Sequence, residues 1–219
     1  MIVLAHALLA ATLCVASPDR APSPGDARIG VSASDTSYQR LFSEGVTMEA
    51  FLDAAKARRA QWLRNYERAA VPDAVVARAR SAPGPWHLLV VAVDGCSDSV
   101  NTVPYIARLT QKLVGVDVRI VNSDVGRAVM NAHRTPDGRG ATPTVILLDA
   151  NFAERGCWIE RPSELQGWIM DNKGKLKDSE LFDHKMAWYD EEQGGKTIGE
   201  IATMIEAAGR GETYCPAGK

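Results

Sequence analysis

Between residues 87 and 159 the chain carries four short apolar runs set apart by stretches of helical period, and this alternation restricts the fold more than any other feature. His87–Val93 is compact, β-branched and Leu-rich, the pattern of a strand buried on both faces. Val116–Val121 alternates around Asp117 and Arg119 as a second strand, Thr144–Leu148 is a third and Arg155–Ile159 a fourth. Helical stretches over Ser97–Val114 and about Val125–Arg134 separate the first three. Asp149-Ala150-Asn151 is turn chemistry close to a hairpin, so strands three and four are expected to pair antiparallel. The order is βαβαββ followed by helix, an α/β fold with a central mixed sheet. After Pro162 come three further helical segments, about Ser163–Lys173, Ser179–Glu192 and Thr197–Ala208.

Upstream, Met48, Phe51, Leu52, Ala55, Trp62, Leu63 and Tyr66 recur at three- and four-residue steps, which predicts one amphipathic helix over Thr47–Arg68 covering the core. Pro72 ends that pattern, a short helix runs to about Arg80, and Pro83-Gly84-Pro85 makes a loop. Ser17–Ser37 is rich in Pro, Ser, Ala, Asp and Gly and reads as a tether. Ile2–Val15 is almost continuously apolar, followed by small residues and Pro18, which suits a signal-peptide core and is too short to span a bilayer. The expected plan is a signal peptide over 1–16, a linker over 17–37, a helical extension over 38–82, an α/β domain over 83–208 and a tail over 209–219. Export to the periplasm or beyond follows if the leader is read as a signal, and a cytoplasmic chain if it is not. Cleavage after Ala16 removes Cys14 and leaves Cys96, Cys157 and Cys215.

Composition excludes several function classes. With 25 Lys plus Arg against 27 Asp plus Glu the net charge is -2, so no basic field exists to drive nucleic-acid binding. Four cysteines in 219 residues are too few for a disulfide-framework mini-protein, and no Cys/His cluster has zinc-ligand spacing. His87, His133 and His184 are scattered. Gly138 and Gly140 lack the strand-before, helix-after order of a phosphate loop, and no Gly-x-Ser-x-Gly elbow is present. No cofactor or metal is implied.

Cysteine chemistry is therefore local, and Cys96 is its candidate centre. It follows Asp94 and Gly95 at the end of the first buried strand, and Ser97-Asp98-Ser99 then opens a helix. Free backbone N–H groups and the positive end of the helix dipole stabilise a thiolate at such a turn. Thr142-Pro143-Thr144 stands at the entrance to the third strand. A cis bond before Pro143 would leave the Thr142 backbone exposed for strand-like pairing with an extended peptide.

These features together resemble the thioredoxin superfamily: the element order, a cysteine at the first strand-helix turn, Pro104 inside the following helix and Thr-Pro-Thr before the hairpin. The resemblance covers about Trp86–Ala208. Cys96-Ser97-Asp98-Ser99, Arg161-Pro162 and Trp188-Tyr189 are similar to a branch of thioredoxin-like bacterial proteins with a single-cysteine Cys-x-Asp-Ser run. The resemblance implies a thioredoxin-like fold with a helical insertion before the last helix, Cys96 as the attacking cysteine and Pro143 as the cis-proline. The chain also departs from the family. Ser99 replaces the resolving cysteine, Gly95 the tryptophan before the first cysteine, and Val90 the buried acid six residues upstream. Asp98 adds a negative charge that opposes a thiolate.

Cys96 would then form a mixed disulfide that an outside thiol releases, with Ser99 donating a hydrogen bond to the sulfur. Its partners would be protein or low-molecular-weight thiols and disulfides. Ser97 and Asp98 tune the sulfur, and Gly95, Thr142 and Pro143 shape the partner groove. The competing reading is a thioredoxin-fold module that holds a peptide or protein beside Pro143 without chemistry. Other sulfur chemistry, such as peroxide sensing through a sulfenic acid, is a third. Cys157 reads either as a buried small hydrophobe or as half of a bridge to Cys215. Arg161 reads most simply as exposed, and otherwise as the salt-bridge partner of Asp98 or of a substrate carboxylate. Asp183–Glu192 reads as a solvated helix face.

Overall fold

A computed structural model describes residues 33–216. The expected signal peptide, Cys14, the linker up to residue 32 and residues 217–219 lie outside the described residues. Nine helices and four strands are present among those described: α1 Ala33–Glu44, α2 Met48–Ala54, α3 Arg59–Arg68, α4 Asp73–Arg80, β1 Trp86–Val91, α5 Ser97–Gln111, β2 Val116–Val121, α6 Arg127–Ala132, β3 Thr144–Leu148, β4 Glu154–Ile159, α7 Ser163–Asn172, α8 Asp178–Glu192 and α9 Gly195–Gly209. Helix is thus already formed at Ala33, inside the stretch read as a tether.

The strand order is β2-β1-β3-β4. β1 pairs parallel with β2 and antiparallel with β3, and β3 pairs antiparallel with β4. Successive β1 side chains face opposite ways, so Leu88 and Val90 join one apolar cluster with α2 to α5 and α9, while Leu89 and Val91 join a second with α1 and α6. All four are fully buried. That two-sided burial is the physical reason β1 shows a continuous apolar run instead of alternation.

The single helix expected over Thr47–Arg68 is broken into α2 and α3. Its cause is tertiary: the Asp94 carboxylate, at the end of β1, accepts 2.9 Å hydrogen bonds from the backbone N–H groups of both Lys56 and Ala57. Arg58 then takes a left-handed conformation before α3 starts. The apolar face itself is placed on the core, with Met48, Leu52 and Trp62 buried.

Candidate functional site

Cys96 is the N-cap of α5. It is half-buried, and its sulfur is the free thiol among the described residues. The sulfur accepts from the Ser99 backbone N–H at 3.5 Å and donates to the Thr142 carbonyl at 3.2 Å. The Thr142–Pro143 peptide bond is cis. The structure therefore brings together Cys96, Ser99, Thr142 and Pro143 across the gap between the start of α5 and the start of β3. Gly95 is exposed beside them.

The loop before Cys96 is held by the N-terminal helices. Trp62 Nε1 donates to the Asp94 carbonyl at 2.9 Å, and Arg58 Nε donates to the Gly95 carbonyl at 3.0 Å. The two backbone N–H groups that bind the Asp94 carboxylate hold its pKa below the ordinary carboxylate value.

Two expectations about the tuning residues change. Ser99 is fully buried and its hydroxyl has no protein partner, so its backbone N–H, and not its side chain, meets the sulfur. Asp98 does not confront the sulfur with a free charge. Its carboxylate receives Lys185 Nζ at 2.9 Å and Tyr189 Oη at 2.8 Å, and Arg161 Nε lies 3.3 Å away. Lys185 Nζ also donates to Ser97 Oγ at 2.9 Å. Burial, reinforced by Asp98, pushes the Tyr189 phenol well above its ordinary range, so it stays a neutral donor.

Arg161 is buried and not exposed. It also pairs with Glu160, which receives Arg139, which in turn pairs with Asp137 and through it with Lys173. An alternating chain of charges thus runs from the surface to the first turn of α5. Lys185 was missed because Asp183–Glu192 reads as solvated, and Tyr189 entered only through the resemblance, with no role at the site; Leu181, Lys185 and Tyr189, four apart on one face, are all buried. Cys157 and Cys215 form a disulfide with Cα atoms 4.6 Å apart. Tyr214 reinforces the tie by accepting from the Cys157 N–H at 2.9 Å.

The family model described as Thioredoxin matches residues 45–177, more than half of the chain and the whole segment from α2 to the start of α8. The chain belongs to the thioredoxin family. Within this thioredoxin-family chain, α9 and all of α8, including Lys185 and Tyr189, lie outside the match. A protein of unknown function from Pseudomonas aeruginosa is similar in fold, with a TM-score of 0.62 and 20% identity over 78% of this chain and 98% of that one. A crystallised HIV epitope scaffold gives the same values. No curated protein matches the chain. Among the described residues no His, Cys, Asp and Glu cluster is suited to a metal ion, and no helix is long and apolar enough to cross a membrane.

Proposed function

We propose that this thioredoxin-family protein carries out monothiol thiol-disulfide exchange through Cys96, in the manner of a single-cysteine Cys-x-Asp-Ser branch. The observation that carries the reading is a half-buried free thiol at a helix N-cap, 3.2 Å from the carbonyl that precedes a cis-proline. In the exchange, the Cys96 thiolate attacks one sulfur of a substrate disulfide. A bond forms between Cys96 and that sulfur, the substrate S–S bond breaks, and the second substrate sulfur leaves as a thiolate and takes up a proton. An external thiol then attacks the mixed disulfide and regenerates Cys96, because Ser99 has no sulfur to do so. Substrates are protein or small-molecule thiols and disulfides, and Gly95, Thr142 and Pro143 form the ledge on which they rest.

The Cys157–Cys215 disulfide supports an oxidising compartment, the periplasm or the exterior. One observation favours a second reading, a binding module without chemistry. The Cys96 S–H donates to the Thr142 carbonyl, a bond that a thiolate cannot make. The rate of Cys96 alkylation as a function of pH, with Cys96→Ser as control, separates the two. An exchange enzyme alkylates rapidly at neutral pH and traps partners as mixed disulfides; a binding module alkylates slowly and holds the same partners after Cys96→Ser.

A further inference from the structure

A cavity of about 320 Å³ opens between β4, α7 and the C-terminal segment, walled by Trp158, Ile159, Met170, Pro136 and Pro216. Three polar residues also line it, Gln166, Arg161 and the exposed Ser163. Gln166 is 6% exposed, yet neither end of its amide has a protein partner. Arg161 is 8% exposed and its Nε lacks an aligned acceptor. Buried polar groups are ordinarily paired, and an unpaired one costs stability.

Gly167 is an independent sign. It lines the same cavity from the interior of α7, where glycine destabilises a helix relative to alanine. Its φ is ordinary and a Cβ built there meets nothing within 4 Å, so neither backbone conformation nor packing demands a glycine. An open face for a ligand accounts for it.

We propose that this cavity binds a neutral apolar group carrying an amide, namely an apolar side chain of a partner polypeptide with its flanking peptide bond. A peptide bond offers one donor and one acceptor, the complement of the two unpaired ends of Gln166. Trp158 contributes an apolar wall, because its own N–H is already given to Glu200. Neutrality follows from charge: Arg161 is balanced by Glu160 and Asp98, so a carboxylate would lose its hydration without gaining an unpaired cation. The proposal stands whether or not Cys96 exchanges disulfides.

The test is titration of the isotope-labelled full chain, disulfide intact, with N-acetyl-leucinamide, N-acetyl-leucine and a blocked Ala-Leu-Ala tripeptide, followed by NMR. Saturable shifts of the Trp158 indole and Gln166 side-chain amide signals are expected, with the tripeptide tighter than the leucinamide and the carboxylate at least tenfold weaker. Gly167→Leu fills the opening and is expected to abolish the shifts while the fold's spectrum persists. Gln166→Met keeps the volume and removes the unpaired amide, so it is expected to retain or raise Tm while losing at least tenfold in affinity. Absence of saturable shifts, unchanged affinity in Gln166→Met, or exclusion of the tripeptide while leucinamide binds would each overturn the proposal.

Discussion

Asp98 lies two residues from Cys96, and the number of cations around it decides what the sulfur feels. Lys185 and Arg161 offset the carboxylate, and all three residues are buried, where charges interact strongly. Lys185→Met leaves Asp98 with one cation fewer and disfavours a Cys96 thiolate. Asp98→Asn leaves two cations with less to balance them and favours it. Alkylation of Cys96 by iodoacetamide near neutral pH is therefore expected to slow several-fold in Lys185→Met and to quicken about tenfold in Asp98→Asn. Asp98→Asn should also lower stability by about 3 kcal/mol, because it leaves buried charge unpaired. Rates moving in the same direction in both variants would refute this electrostatic account. Cys96 and Pro143 were legible in the sequence because each sits at a turn with its own residue signature, whereas the Asp98–Arg161 pair was only an alternative to an exposed arginine. Lys185 was not legible, since a lysine within a charged helix gives no sign that its ammonium is turned inward.

At the scale of elements, the loop carrying Cys96 depends on a compensation between α3 and α5. Pro104 stands inside α5 and has no N–H, so the Val100 carbonyl loses its partner within the helix. Asn65 of α3, fully buried, supplies the missing donor at 2.7 Å, and the same Nδ2 reaches the Asn101 Oδ1 at 3.0 Å. Asn65→Ala is expected to cost about 2 kcal/mol, the penalty of a buried carbonyl left unpaired, in denaturant unfolding. Pro104→Ala restores a backbone donor to Val100, so Asn65→Ala should cost clearly less in that background. Strictly additive effects would show that the two residues are not coupled. The strands were legible to within two residues because burial on one or both faces of a sheet writes a periodic pattern. The break between α2 and α3 was hidden: Ala55 to Arg58 contains no helix breaker, and the break is imposed by Asp94 from a distant strand.

At the scale of the whole molecule, the sheet's edge and back are fastened by contacts between segments far apart in the chain. The Cys157–Cys215 disulfide closes a separation of 58 residues. Cys215→Ser is expected to lower unfolding stability by about 2–4 kcal/mol in guanidinium, and a reductant should reproduce that loss in the unsubstituted protein but add nothing to the variant. A second fastening joins α1, the end of α6 and β4. Tyr38 donates to Glu154 at 2.7 Å across 116 residues, and His133 Nε2 lies 2.8 Å from the other Glu154 oxygen. Polar contacts of this kind follow no period, which is why nothing in the sequence joins these three residues. His133 Nδ1 also faces an acceptor, the Val129 carbonyl at 2.9 Å, so the ring satisfies both contacts only as an imidazolium. Burial works against that charge, but the hydrogen bonds to Glu154 and Val129 outweigh it and raise the pKa above 6.5. For Glu154 burial is likewise outweighed, by His133 and Tyr38, and its pKa falls below 4.5. The histidine's contribution is complete below pH 6.5 and disappears as pH rises through its raised folded value. The glutamate's is present above pH 4.5 and disappears as pH falls through its depressed value. The fastening is thus strongest between those limits, and Tm measured by calorimetry should decline as pH rises above 6.5 and the histidine loses its proton. Glu154→Gln removes the carboxylate that raises His133, so this part of the decline should flatten; an unaltered slope in that variant would assign the pH dependence to other groups.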